Sequence, residues 1–154
     1  MRNRGLFQII CACIFAVLSF SLIPTVAAVD GDCVVRLEDM NCELVDVAET
    51  VVLSNDAKRA ITSINSDIPA NKTAVSEDKL PLEIGDTVTI NCSYSPASTS
   101  MDFGVIAPDG YFYYFNVKGG SINRSILVSQ RGSYSVAIRN KSTHTVTVVG
   151  FVNY

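Results

Sequence analysis

Beyond residue 80 the chain alternates apolar and polar side chains almost position by position. Over 87–94, Val88, Ile90, Cys92 and Tyr94 fall on one face and Thr87, Thr89, Asn91 and Ser93 on the other. That two-residue period, rich in β-branched residues, predicts a half-buried strand. The same reading predicts strands over 80–84, 101–105, 111–117, 122–128, 133–139 and 145–152. Turn formers stand between them: Gly85-Asp86, Ala107-Pro108-Asp109-Gly110, Lys118-Gly119-Gly120, Gln130-Arg131-Gly132, and residues 140–143. In the second of these, proline presets φ, aspartate bonds back to the backbone and glycine takes the positive φ. Turns recurring about every ten to twelve residues, with no helical period between them, predict an all-β fold, a small antiparallel β-sandwich or jelly roll.

The preceding half is less regular. Residues 59–67 read as a first strand, with Ile61 and Ile64 loosely spaced, and 69–78 as a polar loop. Over 29–58, Leu44, Val47, Ala48, Val51 and Val52 fit one face of a helix, while Val45, Val47 and 50–53 fit a strand equally well. This segment is expected to be an acidic arm, disordered or partly helical, ahead of a β-sandwich domain over 59–154.

The first residues read as a targeting signal. Arg2 and Arg4 precede an apolar run from Leu6 to Leu22, broken by Pro24 and followed by Thr25-Val26-Ala27-Ala28. Small residues at the −3 and −1 positions suit a signal peptidase, so residues 1–28 are expected to be removed, with cleavage after Ala28 or, second, Ala27. The alternative is an uncleaved anchor, since the apolar run sits at the lower limit for a bilayer span. After cleavage no stable membrane span is expected, and the product is secreted or associated with the cell envelope.

Charge sharpens the division. Residues 30–86 carry 13 acidic and 5 basic side chains, whereas 87–154 carry Asp102 and Asp109 against five lysines and arginines. With a formal net charge of −3, the chain offers no dense basic patch, which argues against nucleic acid as a partner. Three cysteines follow the signal: Cys33, Cys42 and Cys92. In an oxidising exterior Cys33 and Cys42 are the expected disulfide pair and Cys92 a buried thiol, with pairing of Cys92 to either of the others as the alternative. Their spacing fits no zinc or redox motif.

A family resemblance rests on the later half. Gly85-Asp86-Thr87-Val88, then Met101-Asp102-Phe103-Gly104-Val105 with Pro108-Asp109-Gly110, then Gly132-Ser133-Tyr134 and Ile138-Arg139-Asn140-Lys141-Ser142 follow in order. Over residues 82–154 this succession resembles GOLD-type (Golgi-dynamics) β-sandwich domains, and also small uncharacterised secreted proteins of Gram-positive bacteria. The resemblance implies a β-sandwich used for protein or lipid-headgroup contacts rather than catalysis. The chain departs from the eukaryotic family in lacking its following transmembrane helix and its usual disulfide pair.

Reactive groups are sparse. His144, the only histidine, lies among Ser142, Thr143 and Thr145 in an expected surface turn, with no neighbouring acid to orient it as a general base. Asp102 and Asp109 are the only carboxylates of the later half, and the turn already employs Asp109; Asp102 is expected to point outward from its strand, so a glycosidase pair is not indicated. No catalytic residue, metal ligand set or cofactor site is expected. The run Tyr111-Phe112-Tyr113-Tyr114-Phe115 stands out. If Tyr111, Tyr113, Phe115 and Val117 face the core, Phe112 and Tyr114 lie on the other face, either packed beneath the arm or forming a contact surface. Asn-x-Ser/Thr sequons occur at Asn71, Asn91, Asn123 and Asn140 and discriminate nothing without knowledge of the host. The expectation is a secreted, non-catalytic binding module with a protein or glycan partner. A structural subunit that assembles through its edge strands or acidic arm comes second, and an unrecognised hydrolase third.

Overall fold

The structure, a computed structural model, describes residues 33–53, 55–57 and 61–154, all within the unit Gly31–Tyr154. The expected signal peptide and both candidate cleavage sites lie outside the described residues. The described chain is an all-β sandwich. Its strands are β1 (Val34–Arg36), β2 (Asn41–Leu44), β3 (Thr50–Leu53), β4 (Asn55–Ala57), β5 (Ile61–Ile68), β6 (Lys72–Ser76), β7 (Leu80–Leu82), β8 (Thr87–Ser95), β9 (Met101–Ile106), β10 (Tyr111–Val117), β11 (Ser121–Leu127), β12 (Gly132–Asn140) and β13 (Val146–Asn153). Sheet A runs β1-β11-β8-β13-β5-β4, and sheet B runs β2-β10-β9-β12-β6-β3, with β7 paired to the start of β12.

Alternation fixes which side chains meet between the sheets. Val88, Ile90, Cys92 and Tyr94 of β8, with Val148 and Val152 of β13, face Met101, Phe103 and Val105 of β9 and Val136 and Ile138 of β12, all almost fully buried. Polar locks hold the ends. The Tyr134 hydroxyl donates to the Gln130 carbonyl at 2.6 Å, and the Asn140 amide reaches the carbonyls of Ile68, Pro69 and His144 within 3.1 Å. Asn140 is thereby fully buried, so that sequon is closed in the folded molecule.

The segment expected to be a loose arm is strand where it is described. β1 pairs in parallel with β11, β2 antiparallel with β10, β3 in parallel with β6 and β4 antiparallel with β5. The outermost strand at each of the four margins is therefore drawn from residues 34–57, with β7 as a further edge beside the start of β12. Leu37 and Leu53 anchor this belt in the core at 2% and 1% exposure. Helix enters only as two single 3-10 turns, Leu37–Asp39 and Val47–Glu49. The polar loop expected over 69–78 is also corrected. Lys72–Ser76 forms β6 between β12 and β3, where Thr73 and Ala74 are both buried because sheet B is covered on each face.

Chain reach shapes sheet B. β2 and β3 lie at opposite margins with four strands between them, about 24 Å apart across a flat sheet. The link between Leu44 and Thr50 extends to at most about 23 Å when fully stretched, and its 3-10 turn at Val47–Glu49 shortens it further. The margins must therefore curl toward one another, making the outer face concave beneath the link. Val45, Asp46 and Glu49 of that link line a cavity with Phe112, Thr73 and Arg139 from the outer face, and the Lys72 ammonium donates to the Ala48 carbonyl at 3.4 Å.

Close backbone approach is needed at Gly104, which pairs with Tyr114 across β9 and β10. A Cβ there would stand 1.8 Å from the Tyr113 carbonyl oxygen. Gly119, at φ +101, has open space around it and meets only conformational strain. Gly104→Ala is expected to cost about 3 kcal/mol or more, and Gly119→Ala about 1–2 kcal/mol, as read from urea unfolding midpoints; equal losses would contradict the close approach.

Candidate functional site

The densest chemistry lies on the concave face of sheet B. Asp102 in β9 sits directly between Asn116 of β10 and Arg139 of β12 in register. It points out of the sandwich as expected, yet it is fully buried. Its Oδ1 accepts from Asn116 Nδ2 at 2.6 Å, and its Oδ2 accepts from Arg139 Nε at 2.9 Å. Lys141 Nζ and Arg139 Nη2 also stand 2.9 Å from Oδ2, the second as an ion pair without hydrogen-bond geometry. A carboxylate with two cations and an amide on its two oxygens is held as an acceptor.

Arg139 carries the network to the belt. Its Nη1 reaches Glu43 of β2 at 2.8 Å. Its guanidinium lies 4.7 Å from the Tyr114 ring centre and 5.4 Å from that of Phe112, and Lys141 Nζ is 5.3 Å from Tyr114. The two rings stack on each other at 5.1 Å. Burial pulls the guanidinium pKa down, but the bonds to Glu43 and Asp102 outweigh it and leave the group above its ordinary value. Cavities of about 180 and 280 Å³ flank Arg139 beneath the link; both include Glu43 and Glu49, and the larger also Asn140 and Lys141.

Phe112 and Tyr114 thus share the outer face, while Tyr113, Phe115 and Val117 face inward. Tyr111 is 38% exposed and leaves the expected core row. Phe112 is only 2% exposed, covered from the belt side, so of the two residues expected as a contact surface only the half-buried Tyr114 reaches solvent. The sequence reading singled out neither Arg139 and Lys141 nor Asn116 and Glu43. Two signals were available: Asp102 and Arg139 both lie at outward positions of alternating strands, and a strand pairing would set them opposite one another.

The remaining reactive groups are apart from this cluster. Asp109 accepts from the Tyr111 backbone at 2.9 Å and the Tyr113 hydroxyl at 2.7 Å, which pushes the phenol up to about 12 chiefly through that hydrogen bond. His144 is exposed and pairs its Nε2 with Thr99 Oγ1 at 3.0 Å. Cys33, Cys42 and Cys92 are free thiols, so the expected Cys33–Cys42 bond is absent. Cys33 leads into β1 on sheet A whereas Cys42 lies in β2 on sheet B. Burial pushes the Cys92 thiol from 9.0 up to about 12, with a hydrogen bond from the Phe151 backbone offsetting part of the rise. Among the described residues no group of three His, Cys, Asp or Glu side chains is placed to hold a metal ion, and no helix is long and apolar enough to cross a membrane.

No family model matches the chain, and no curated protein matches it. Among solved structures it is similar to PliG of Aeromonas hydrophila, a periplasmic inhibitor of g-type lysozyme, at 15% identity and a TM-score of 0.46, covering 80% of this chain and 98% of that one. That likeness is too remote to carry a function across.

Asp102→Ala removes the buried carboxylate that Arg139 and Lys141 share, leaving the mostly buried Arg139 guanidinium with Glu43 as its only carboxylate partner, and is expected to cost about 3 kcal/mol in urea unfolding, whereas Glu43→Gln at the exposed end costs less than about 1 kcal/mol. For the thiols, Cys33 and Cys42 are expected to react with a thiol reagent at neutral pH, and Cys92 only after unfolding. Because the Cys92 pKa is higher folded than unfolded, its contribution to stability is complete below pH 9.0 and declines as pH rises toward 12. Alkaline unfolding midpoints of the wild type and Cys92→Ala measure that contribution.

Proposed function

We propose that this chain is an exported, non-catalytic binding module that works by surface contact outside the cell or at its envelope. The observation that carries the reading is the saturation of Asp102: the one fully buried carboxylate among the described residues has both oxygens occupied by Arg139, Lys141 and Asn116. The other candidates are similarly committed, Asp109 to its turn, His144 to Thr99 and Cys92 to the core. Catalysis needs a group poised to give or take a proton at a reacting atom, in a site that excludes water. Here the inward faces are packed solid and the concave face is occupied by its own ion pairs.

The export reading rests on the amino-terminal segment of Arg2, Arg4, the apolar run and Ala27-Ala28. The acidic balance supports a partner other than nucleic acid. Assembly through sheet edges is disfavoured by the edges themselves: β1 to β4 have three or four residues each, and exposed Arg36 and Glu43 place charge on two of them.

Retention of the mature chain on isolated cell-envelope material of its own host, with panels of peptide, ester, phosphoester and glycoside substrates assayed in parallel, tests the proposal. Saturable retention without turnover is expected. Turnover abolished by His144→Ala or Asp109→Asn, or a complete lack of retention, would overturn it.

A further inference from the structure

On the concave face of sheet B the polar groups are paired with one another around the two cavities beneath the link, and the opposite surface, the outer face of sheet A, remains to be explained. Its four central strands, β11, β8, β13 and β5, lie side by side in continuous register. One row crosses them as Asn123, Asn91, Phe151 and Ser63, and the next as Ser121, Ser93, Val149 and Asn65. Phe151 is 39% exposed and Val149 52%. Among the outward positions of these four strands Asp67 is the only charged side chain, and its carboxylate accepts from Thr147 Oγ1 at 2.6 Å at one end of the face. Charge returns at the margin with Arg36 in β1. A soluble surface ordinarily carries about 25–35% charged residues, and this chain as a whole carries 18%, so a neutral face of this width departs from both.

The chemistry present is specific in kind. Amides and hydroxyls both donate and accept without charge, and an aromatic ring set among them supplies a flat apolar surface. This combination fits a ligand that is itself neutral, dense in hydroxyl groups and apolar on the face of its ring. Basic or acidic partners would find no counter-charge here. The backbone beside Phe151 is closely packed. Adjacent Gly150 pairs with Cys92, and a Cβ on it would stand 2.2 Å from the Asn91 carbonyl oxygen and 2.6 Å from the Cys92 Cα. β13 and β8 therefore approach closely at this point, which sets Phe151 directly beside Asn91 in register.

We infer that the outer face of sheet A is a docking platform for a neutral carbohydrate chain, with Phe151 as the stacking residue and Asn91, Ser63 and Asn123 as the hydrogen-bonding row across it. This deepens the proposed function, on which it rests, by naming a ligand class and a face. A second copy of this chain, burying Val149, Phe151 and Ile61 face to face, is the competing occupant; the excess of amide and hydroxyl groups over apolar ones makes it the poorer fit.

Titration calorimetry of the mature chain with the neutral hexamers of glucose, mannose and N-acetylglucosamine tests the inference, with polygalacturonate as the charged control. Saturable binding to at least one neutral hexamer is expected. Phe151→Ser should weaken it by about tenfold or more, Phe151→Tyr should retain it, and Asn91→Ala should weaken it to a lesser degree. Phe151 lies on the surface, so circular dichroism should find each variant folded; if Phe151→Ser does not fold, Asn91→Ala and Asn123→Ala decide instead. Lack of binding to every neutral hexamer overturns the inference, as does binding unchanged in the folded variants or binding to polygalacturonate alone. A concentration-dependent dimer lost in Phe151→Ser, without sugar binding, assigns the face to a second copy. Retention on envelope material through a protein, with no hexamer bound, removes this inference and leaves the binding-module reading standing.

Discussion

Two stacked sheets present four edges, each a row of unpaired backbone donors and acceptors that would otherwise recruit another chain. Here a single stretch, residues 34–57, supplies the outermost strand at all four margins, short strands that cover Tyr111–Tyr114 of β10 and Ser125–Leu127 of β11. It begins on one margin of sheet A, moves to the neighbouring margin of sheet B, crosses the outside of that sheet, and returns by the far margins of B and then A. Because the crossing is short, it forces sheet B to curl. The acidic character of the segment follows from its position: Glu38, Asp39, Glu43, Asp46 and Glu49 are all exposed, and charge at short edge strands keeps those edges from pairing further.

The curl has a chemical consequence. It brings Glu43 on one margin within reach of Arg139 in β12, across the Tyr114 and Phe112 rings, and it shuts Asp102 away from water. A fully buried carboxylate is costly unless its oxygens are occupied, and Arg139, Lys141 and Asn116 occupy them. The cluster is therefore the fastening between belt and sheet, and its aromatic pair is used internally. Among the described residues no segment crosses the outside of sheet A at Phe151, which is 39% exposed.

Much of this was legible along the chain, and the parts that were not have physical reasons. Long central strands show two-residue alternation clearly because each has one face in the core, so 87–95 and 111–117 could be placed to within a residue. The β10 parity, with Phe112 and Tyr114 opposite Tyr113 and Phe115, was legible for the same reason. β6 was not, since both of its faces are covered and Thr73, Ala74, Val75 and Ser76 show no period. Edge strands of three or four residues are too short to show one either, so the belt read as an arm. Asp102 read as an ordinary outward side chain because what buries it comes from residues near 43, 116 and 139. Cys33 and Cys42 are near neighbours in sequence but belong to different sheets, a distinction that spacing does not encode.

Amide hydrogen exchange, resolved over residues 41–44 and 50–53, tests the belt most directly. If these residues are integral edge strands, their ladder-bonded amides exchange orders of magnitude more slowly than unstructured chain, and Arg139→Met speeds exchange in 41–44 more than in 50–53. Exchange of both segments at the unprotected rate, with β8 and β12 fully protected, would mean that the sandwich stands without its belt.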